Sequence, residues 1–308
     1  MTQAELGPRL KGVIPPIITP MTVNRRFDAA SGRKLCEFML ESGVHGLFVL
    51  GTSGEGPYLS EADQLAAVRT AVEVANRKVP VLAGLLAPGT DQACQLAQQM
   101  QDLGADAVVV APPYYYPATQ AQIMEHFRAI RQAIQIPVMA YDIPITTHHR
   151  MQLETVLTLA NEGTVIGMKD STGDYGTFRR LQLKAPANFR LLTGSEPFFD
   201  SVLNAGAHGV VPGLSNVAPQ GFVALYNAYL AGNQTEMVSI QSRLTRLLDV
   251  FFKLDGSVEV GRAIAVMKTA LHLRNVIATT VTSRPFPELS SAEVARVRGI
   301  MQETGFLA

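Results

Sequence analysis

Only two cysteines occur in the 308 residues, Cys36 and Cys94. They stand far apart, and no CxxC or Cys/His spacing of a metal site accompanies them. A disulfide framework is therefore excluded, and the expectation is two buried, reduced thiols in a cytoplasmic protein. No histidine pair has ligand spacing on a helix, so no metal is expected. Charge of either sign is not in surplus, since 26 Lys and Arg balance 26 Asp and Glu. That balance gives no basis for binding nucleic acid or an anionic membrane. An anionic substrate must be held by a local site instead. No apolar run approaches the roughly 20 residues that span a bilayer. Residues 1–12 lack an apolar h-region, so no signal peptide is expected. No GxGxxG follows the first apolar run, which argues against a dinucleotide-binding sheet. No low-complexity linker divides the chain.

What is present is a regular alternation. Short apolar runs fall at 13–19, 46–50, 81–84, 107–111, 138–141, 165–168, 190–193 and 209–211. They are rich in Val, Ile and Leu without polar alternation, as strands buried on both faces are. Amphipathic segments separate them. Ser60 with Asp63 reads as a capping box before a helix at 61–75. Gly43 and Gly104 suit left-handed positions closing helices at 29–42 and 91–103. GVHGLFVL (43–50), GADAVVVA (104–111) and GAHGVVPG (206–213) repeat one helix-to-strand junction. Eight such units predict an α/β fold, a (β/α)8 TIM barrel, over residues 1–232. Beyond 232 the strand signal is gone. Helices at 235–252, 260–273 and 291–304 predict a C-terminal helical extension, 233–308, packed on the barrel as one structural unit.

In such barrels function sits where the strands end. The sixth run leads directly into Lys169-Asp170. A lysine at a barrel mouth, partly withdrawn from water, can present a free amine that attacks a ketone and forms an imine. Its plainer reading is a solvated strand end paired with Asp170. The second run leads into Gly51-Thr52-Ser53-Gly54-Glu55-Gly56. Backbone N–H groups and two hydroxyls there can hold a carboxylate, although an ordinary Gly/Ser turn reads the same way. The fifth ends at Tyr141, a phenol able to shuttle protons beside an amine or simply to cap the core. Tyr114-Tyr115-Tyr116, between prolines, cannot all face a core, so some face a cleft or another subunit. Glu196, after the seventh run, can accept hydrogen bonds from substrate hydroxyls or stand solvated at the rim. After the eighth, Val211-Pro212-Gly213 permits close backbone approach. His148 and His149 stand where they can line the mouth.

GTSGE after strand 2, PPYYY after strand 4, Tyr-Asp-Ile-Pro after strand 5 and Gly-Met-Lys-Asp after strand 6 occur in a telling order and spacing. With them the chain resembles the pyruvate-dependent class I aldolase family of dihydrodipicolinate synthase and N-acetylneuraminate lyase. The resemblance runs from about Lys11 into the C-terminal helices. It implies that Lys169 is the Schiff-base lysine and Tyr141 the proton-relaying tyrosine. Thr52 and Ser53 match the hydroxyl pair that binds the pyruvate carboxylate. Tyr115 matches a tyrosine contributed to a neighbouring subunit's site. Val211 matches the strand-8 residue whose carbonyl lies beside the substrate. A homotetramer, built as a dimer of dimers, is implied. The covalent imine with Lys169 would take the place of any metal or organic cofactor.

Two departures bear on the substrate. Thr146 stands where the biosynthetic synthase has an arginine that holds carboxylated substrates. A neutral hydroxyl cannot replace a bidentate guanidinium. A small hydroxyl residue there resembles the branch acting on sugar acids, and Glu196 aligns with an acidic residue that binds polyol hydroxyls. The expected substrates are therefore pyruvate and an aldehyde, or their adduct, a 2-keto-3-deoxy sugar acid. The synthase reaction with aspartate semialdehyde, a keto-deoxy sugar acid dehydratase and a non-catalytic keto-acid-binding protein are the alternatives. Second, Asp142 replaces the usual Asn. It either alters the charge beside Tyr141 or binds a hydroxyl of the second substrate.

Overall fold

Successive strand residues face opposite ways, and that parity decides where each functional side chain points. The computed structural model describes residues 1–253 and 256–307. Its strands are β1 (Gly12–Val13), β2 (Leu47–Val49), β3 (Val81–Leu85), β4 (Ala107–Val110), β5 (Val138–Asp142), β6 (Gly167–Asp170), β7 (Arg190–Thr193) and β8 (Gly209–Val210). They form one parallel sheet in the order β1-β8-β7-β6-β5-β4-β3-β2. A parallel bridge between Pro16 and Phe48 closes it into a barrel. There the Ile17 N–H donates to Phe48 O at 2.9 Å, and the Phe48 N–H donates to Pro15 O at 3.0 Å.

The expected runs differ from the strands by at most one residue at either end, except for two. The run 13–19 pairs regularly only at Gly12–Val13, because Pro15 and Pro16 have no N–H to give a ladder. The run 165–168 shifts to Gly167–Asp170. Lys169 and Asp170 stay in register with Tyr141 and Asp142 on one side and with Leu192 and Thr193 on the other. Lys169 thus lies inside β6 instead of following it.

Parity sorts the side chains into two cores. Val109, Met139, Tyr141, Leu192 and Val211 belong to the cluster inside the barrel. Val108, Val110, Val138, Ala140 and Leu191 face the helices. The N-terminal segment, unread in the sequence, is a short helix α1 (Gln3–Leu6) and a 3-10 turn. A Thr2–Glu5 capping box starts it, and Leu6 and Leu10 join the interior cluster. Arg190 Nε ties it to β7 by donating to Gly7 O at 2.8 Å.

The surrounding helices begin with α2 (Ala29–Glu41), α3 (Glu61–Ala75), α4 (Thr90–Asp102) and α5 (Gln120–Ala133). Asp28 caps α2 by accepting from the Ala30 and Ser31 N–H groups. At α3 only half of the expected box forms. Ser60 accepts from the Asp63 N–H, while the Asp63 carboxylate accepts from Arg26 Nε at 2.8 Å and the Phe27 N–H at 3.2 Å. The Ser60 hydroxyl also donates to Asp63 Oδ2 at 2.7 Å, so one carboxylate serves the local cap and a second segment together. Gly43, Gly104 and Gly206, the first residues of the repeated junction, have φ of 80°, 93° and 96°. The repeat is therefore a conserved backbone turn within this chain, open to glycine without steric cost.

The remaining helices are α6 (Pro144–Thr147), α7 (Leu153–Asn161), α8 (Tyr175–Lys184), α9 (Phe199–Asn204) and α10 (Pro219–Leu230). Then follow α11 (Gln234–Leu247), α12 (Val260–Leu273) and α13 (Ser291–Glu303). Of these, α12 is buried along most of its length and runs beside the barrel mouth. Among the described residues no helix is long and apolar enough to cross a membrane.

Candidate active site

Lys169 and Tyr141 are Cα partners across β5 and β6, so both side chains enter the barrel at the same level. Lys169 is 5% exposed and Tyr141 2%. Lys169 Nζ stands 4.1 Å from the centroid of the Tyr141 ring and 5.2 Å from that of Phe48. The phenol in turn meets the loop after β2, where Thr52 Oγ1 and Tyr141 Oη are 3.3 Å apart. One buried amine, one phenol and one hydroxyl therefore converge from β6, β5 and β2.

The loop owes its shape to two left-handed residues, Leu50 at φ 60° and Glu55 at φ 57°. Between them the Gly54 N–H donates to Gly51 O at 2.9 Å, and the Glu55 N–H donates to Thr52 O at 3.2 Å. The kink at Leu50 leans on Gly84 of β3. A Cβ at Gly84 would stand 2.3 Å from Leu50 O, so no larger residue fits behind the turn.

Ser53 is half-buried and faces the turn after β8. A Cβ on Gly213 would lie 3.7 Å from Ser53 Oγ and 3.2 Å from Glu196 Oε1. Glu196 is thus no solvated rim charge. Its Oε1 accepts from the Leu214 N–H at 3.1 Å. Burial pushes its carboxyl up to about 7, against the opposing pull of the Leu214 and Gly213 amides and the charge of Lys169. Val211 is buried, with its N–H donating to Thr193 O at 2.8 Å.

Thr146 lies in the one-turn helix α6, and its hydroxyl donates to Ile143 O at 3.2 Å. It lines a cavity of about 450 Å³ together with Thr52, Leu86, Tyr114, Ile143 and Phe286. The cavity opens off the Thr52 hydroxyl and reaches the C-terminal segment through Phe286. Tyr114 Oη donates to Leu86 O at 3.0 Å, which leaves Tyr115 and Tyr116 to point outward at 76% and 77% exposure. Tyr115 is therefore not brought to Lys169 of its own chain. His148 is exposed at the end of α6, and His149 is half-buried.

Asp142 follows parity and points away from Tyr141, into the layer between strands and helices. Its Oδ1 accepts from the Met151 N–H at 3.4 Å, and its Oδ2 lies 3.9 Å from Arg150 Nε. Arg150 also donates through Nη1 to Asp174 Oδ2 at 3.0 Å. Burial pushes the Asp142 carboxyl up to about 7, and neighbouring Asp170 acts in the same direction. Contact with a second substrate, one of the two readings of this residue, is excluded by that orientation. Asp142 instead anchors the segment that carries Thr146.

Sequence reasoning missed two buried charged groups, Glu55 and Lys268, which meet beneath the Thr52 loop with Nζ 2.5 Å from Oε1. Lys268 had left a signal: it sits among Ala265, Val266, Met267, Ala270 and Leu271 on a helix with almost no polar neighbour. A lysine so placed needs a buried partner.

A family model described as the dihydrodipicolinate synthetase family matches residues 9–304. The chain belongs to the dihydrodipicolinate synthetase family. An uncharacterised DapA-like lyase of Halobacterium salinarum is 33% identical over 97% of this chain and 95% of its own length. A 4-hydroxy-tetrahydrodipicolinate synthase of Pseudoalteromonas atlantica is 31% identical over 95% of this chain and 97% of its own. Among solved structures, YagE, a prophage protein of this family from E. coli K12 in complex with pyruvate, superposes with a TM-score of 0.89. It is 26% identical and covers 96% of this chain and 99% of its own. Membership makes the chain a pyruvate-dependent class I lyase acting on carbon–carbon bonds. The eight-stranded TIM barrel is that of the family.

Proposed function

We propose that this family member cleaves, or in reverse forms, the bond between pyruvate and an aldehyde, with a 2-keto-3-deoxy sugar acid as the adduct. The observation that carries the reading is the buried Lys169 amine facing the Tyr141 ring at 4.1 Å, with Thr52 on the phenol. Thr52 and Ser53 hold the keto-acid carboxylate. Lys169 attacks the C2 ketone, and water leaves with a proton relayed through Tyr141 to give the iminium. The C4 hydroxyl loses its proton through the same phenol as the C3–C4 bond breaks. Its electron pair moves into the iminium and leaves an enamine, while the aldehyde departs. Protonation at C3 and hydrolysis of the imine then return Lys169 and pyruvate.

Thr146 and Glu196 favour a hydroxylated substrate. No guanidinium stands at the Thr146 position to grip a second carboxylate, and Glu196 offers an acceptor beside Ser53 and Gly213. The exposed, edge-to-face pair Tyr115–Tyr116, with ring centroids 5.0 Å apart, supports self-association in which Tyr115 enters a neighbour's site. A homotetramer is the assembly proposed, in the cytoplasm.

The test is borohydride reduction in the presence of pyruvate, mapped by mass spectrometry and repeated across a panel of sugar-derived keto acids. The expected result is a reduced adduct on Lys169, with aldehyde and pyruvate released from at least one panel member. No adduct on Lys169 would sink the mechanism. Turnover of aspartate semialdehyde in a coupled assay would favour the synthase reaction instead. A product that keeps every carbon of a sugar acid would mark a dehydratase.

A further inference from the structure

We propose that Lys268, acting through Glu55, is a positioning residue that shapes the carboxylate-binding loop for the keto acid. This rests on the reading of Lys169 and Thr52 given above. Glu55 closes the Thr52-Ser53-Gly54 turn in left-handed backbone, a conformation costly for a residue with a side chain. Its carboxylate turns away from solvent and is fully buried. Oε2 accepts from the Ser283 N–H at 2.6 Å, and Oε1 lies 2.5 Å from Lys268 Nζ. Lys268 also donates to Val281 O at 2.7 Å. The loop is therefore clamped from below by α12 and by the segment that follows it.

Stability is a poor reason for such a pair. Taking two charges out of water costs about as much as their attraction returns, and apolar residues of like volume pack as well or better. Burial already pushes Lys268 downward, with Glu55 opposing. What an ion pair supplies and an apolar contact does not is direction. Held on two sides, the Glu55 side chain favours the left-handed backbone at φ 57°, in which its N–H donates to Thr52 O at 3.2 Å. That places the Thr52 hydroxyl against Tyr141. The same helix reaches the opposite wall of the site. Met267, next to Lys268, has its sulfur 3.5 Å from Asn216 Nδ2, whose carbonyl oxygen accepts from the Ile18 N–H at 3.0 Å. A Cβ on Gly213 would lie 3.7 Å from that sulfur. The C-terminal segment is thus part of the pyruvate site although none of its residues need touch the reacting atoms.

The test uses the full chain and the variants Glu55→Gln, Lys268→Met and Glu55→Gln/Lys268→Met. The pyruvate concentration that half-saturates borohydride trapping of Lys169 is measured beside Tm. The double variant, free of buried charge, is expected to melt above Lys268→Met. Half-saturation should nevertheless rise at least about tenfold in both, with the full extent of trapping kept at saturating pyruvate. Recovery of wild-type half-saturation in the double variant would make the pair purely structural and overturn the proposal. Should the methionine variants fail to fold, Glu55→Gln decides alone, since it keeps its shape and the acceptor for Ser283. Half-saturation there is expected to rise about threefold or more, and an unchanged value overturns the proposal. Absence of trapping in the wild type would defeat the lysine mechanism itself, a failure distinct from a trapped but unaltered variant.

Discussion

Lys169→Ala removes the amine while leaving the apolar wall of Phe48 and Tyr141 around it. Turnover should fall by at least about 10³-fold, with far-UV circular dichroism unchanged, if Lys169 forms the proposed imine. Glu196 has a pH signature. With its carboxyl near 7, the ionised acceptor gains population as pH rises through neutrality. The kcat/KM for a polyhydroxylated substrate should rise across that interval, and Glu196→Gln should remove the inflection. Asp142 tests linkage. Its carboxyl, raised to about 7, binds a proton more tightly in the folded chain than unfolded. Stability associated with it is present near pH 4 and is lost as pH climbs to about 7. Asp142→Asn should therefore stabilise the fold at pH 8 by about 4 kcal/mol and leave little change at pH 4. Urea melts at the two pH values decide the matter, and equal effects at both would refute the linkage. That Lys169 and Tyr141 meet inside the barrel was legible because chemistry and parity agree at those strand ends. Glu55 reads as one more turn residue in GTSGE, and nothing in the local sequence tells that its partner is Lys268, 213 positions away.

At the scale of elements, the turn after β2 depends on its neighbour strand as much as on its own sequence. Gly84→Ala would drive a Cβ to 2.3 Å from Leu50 O, a backbone atom that cannot swing aside. A loss of about 2–4 kcal/mol is expected by chemical denaturation, together with weaker pyruvate binding as the Thr52 turn shifts. All eight strands were legible as apolar runs, since burial on both faces leaves a continuous signal. Their ends were less so. In β6 the pairing continues through two charged residues whose polarity reads as the end of a strand. In β1 two prolines stop the ladder inside an apolar run that reads as strand. The one-turn helix α6 and the short α1 escaped because four residues show no period.

For the whole molecule, Tyr115→Ala/Tyr116→Ala should shift sedimentation equilibrium toward smaller species and lower activity at least tenfold, if a neighbour's tyrosine completes the site. An unchanged assembly would remove the neighbour from the mechanism. Barrel and helical tail were legible from the place where the strand rhythm stops, but their interdependence was not, because it runs through buried contacts between residues more than 200 positions apart. That arrangement has a consequence for synthesis on the ribosome. A nascent chain that has emerged as far as Leu230 already owns the eight strands of the barrel, Lys169 and Tyr141. It still leaves the Glu55 carboxylate waiting for an ammonium and an amide yet to be translated. Competence to capture pyruvate should consequently arrive late, only after Ser283 clears the exit tunnel, well behind closure of the barrel it serves.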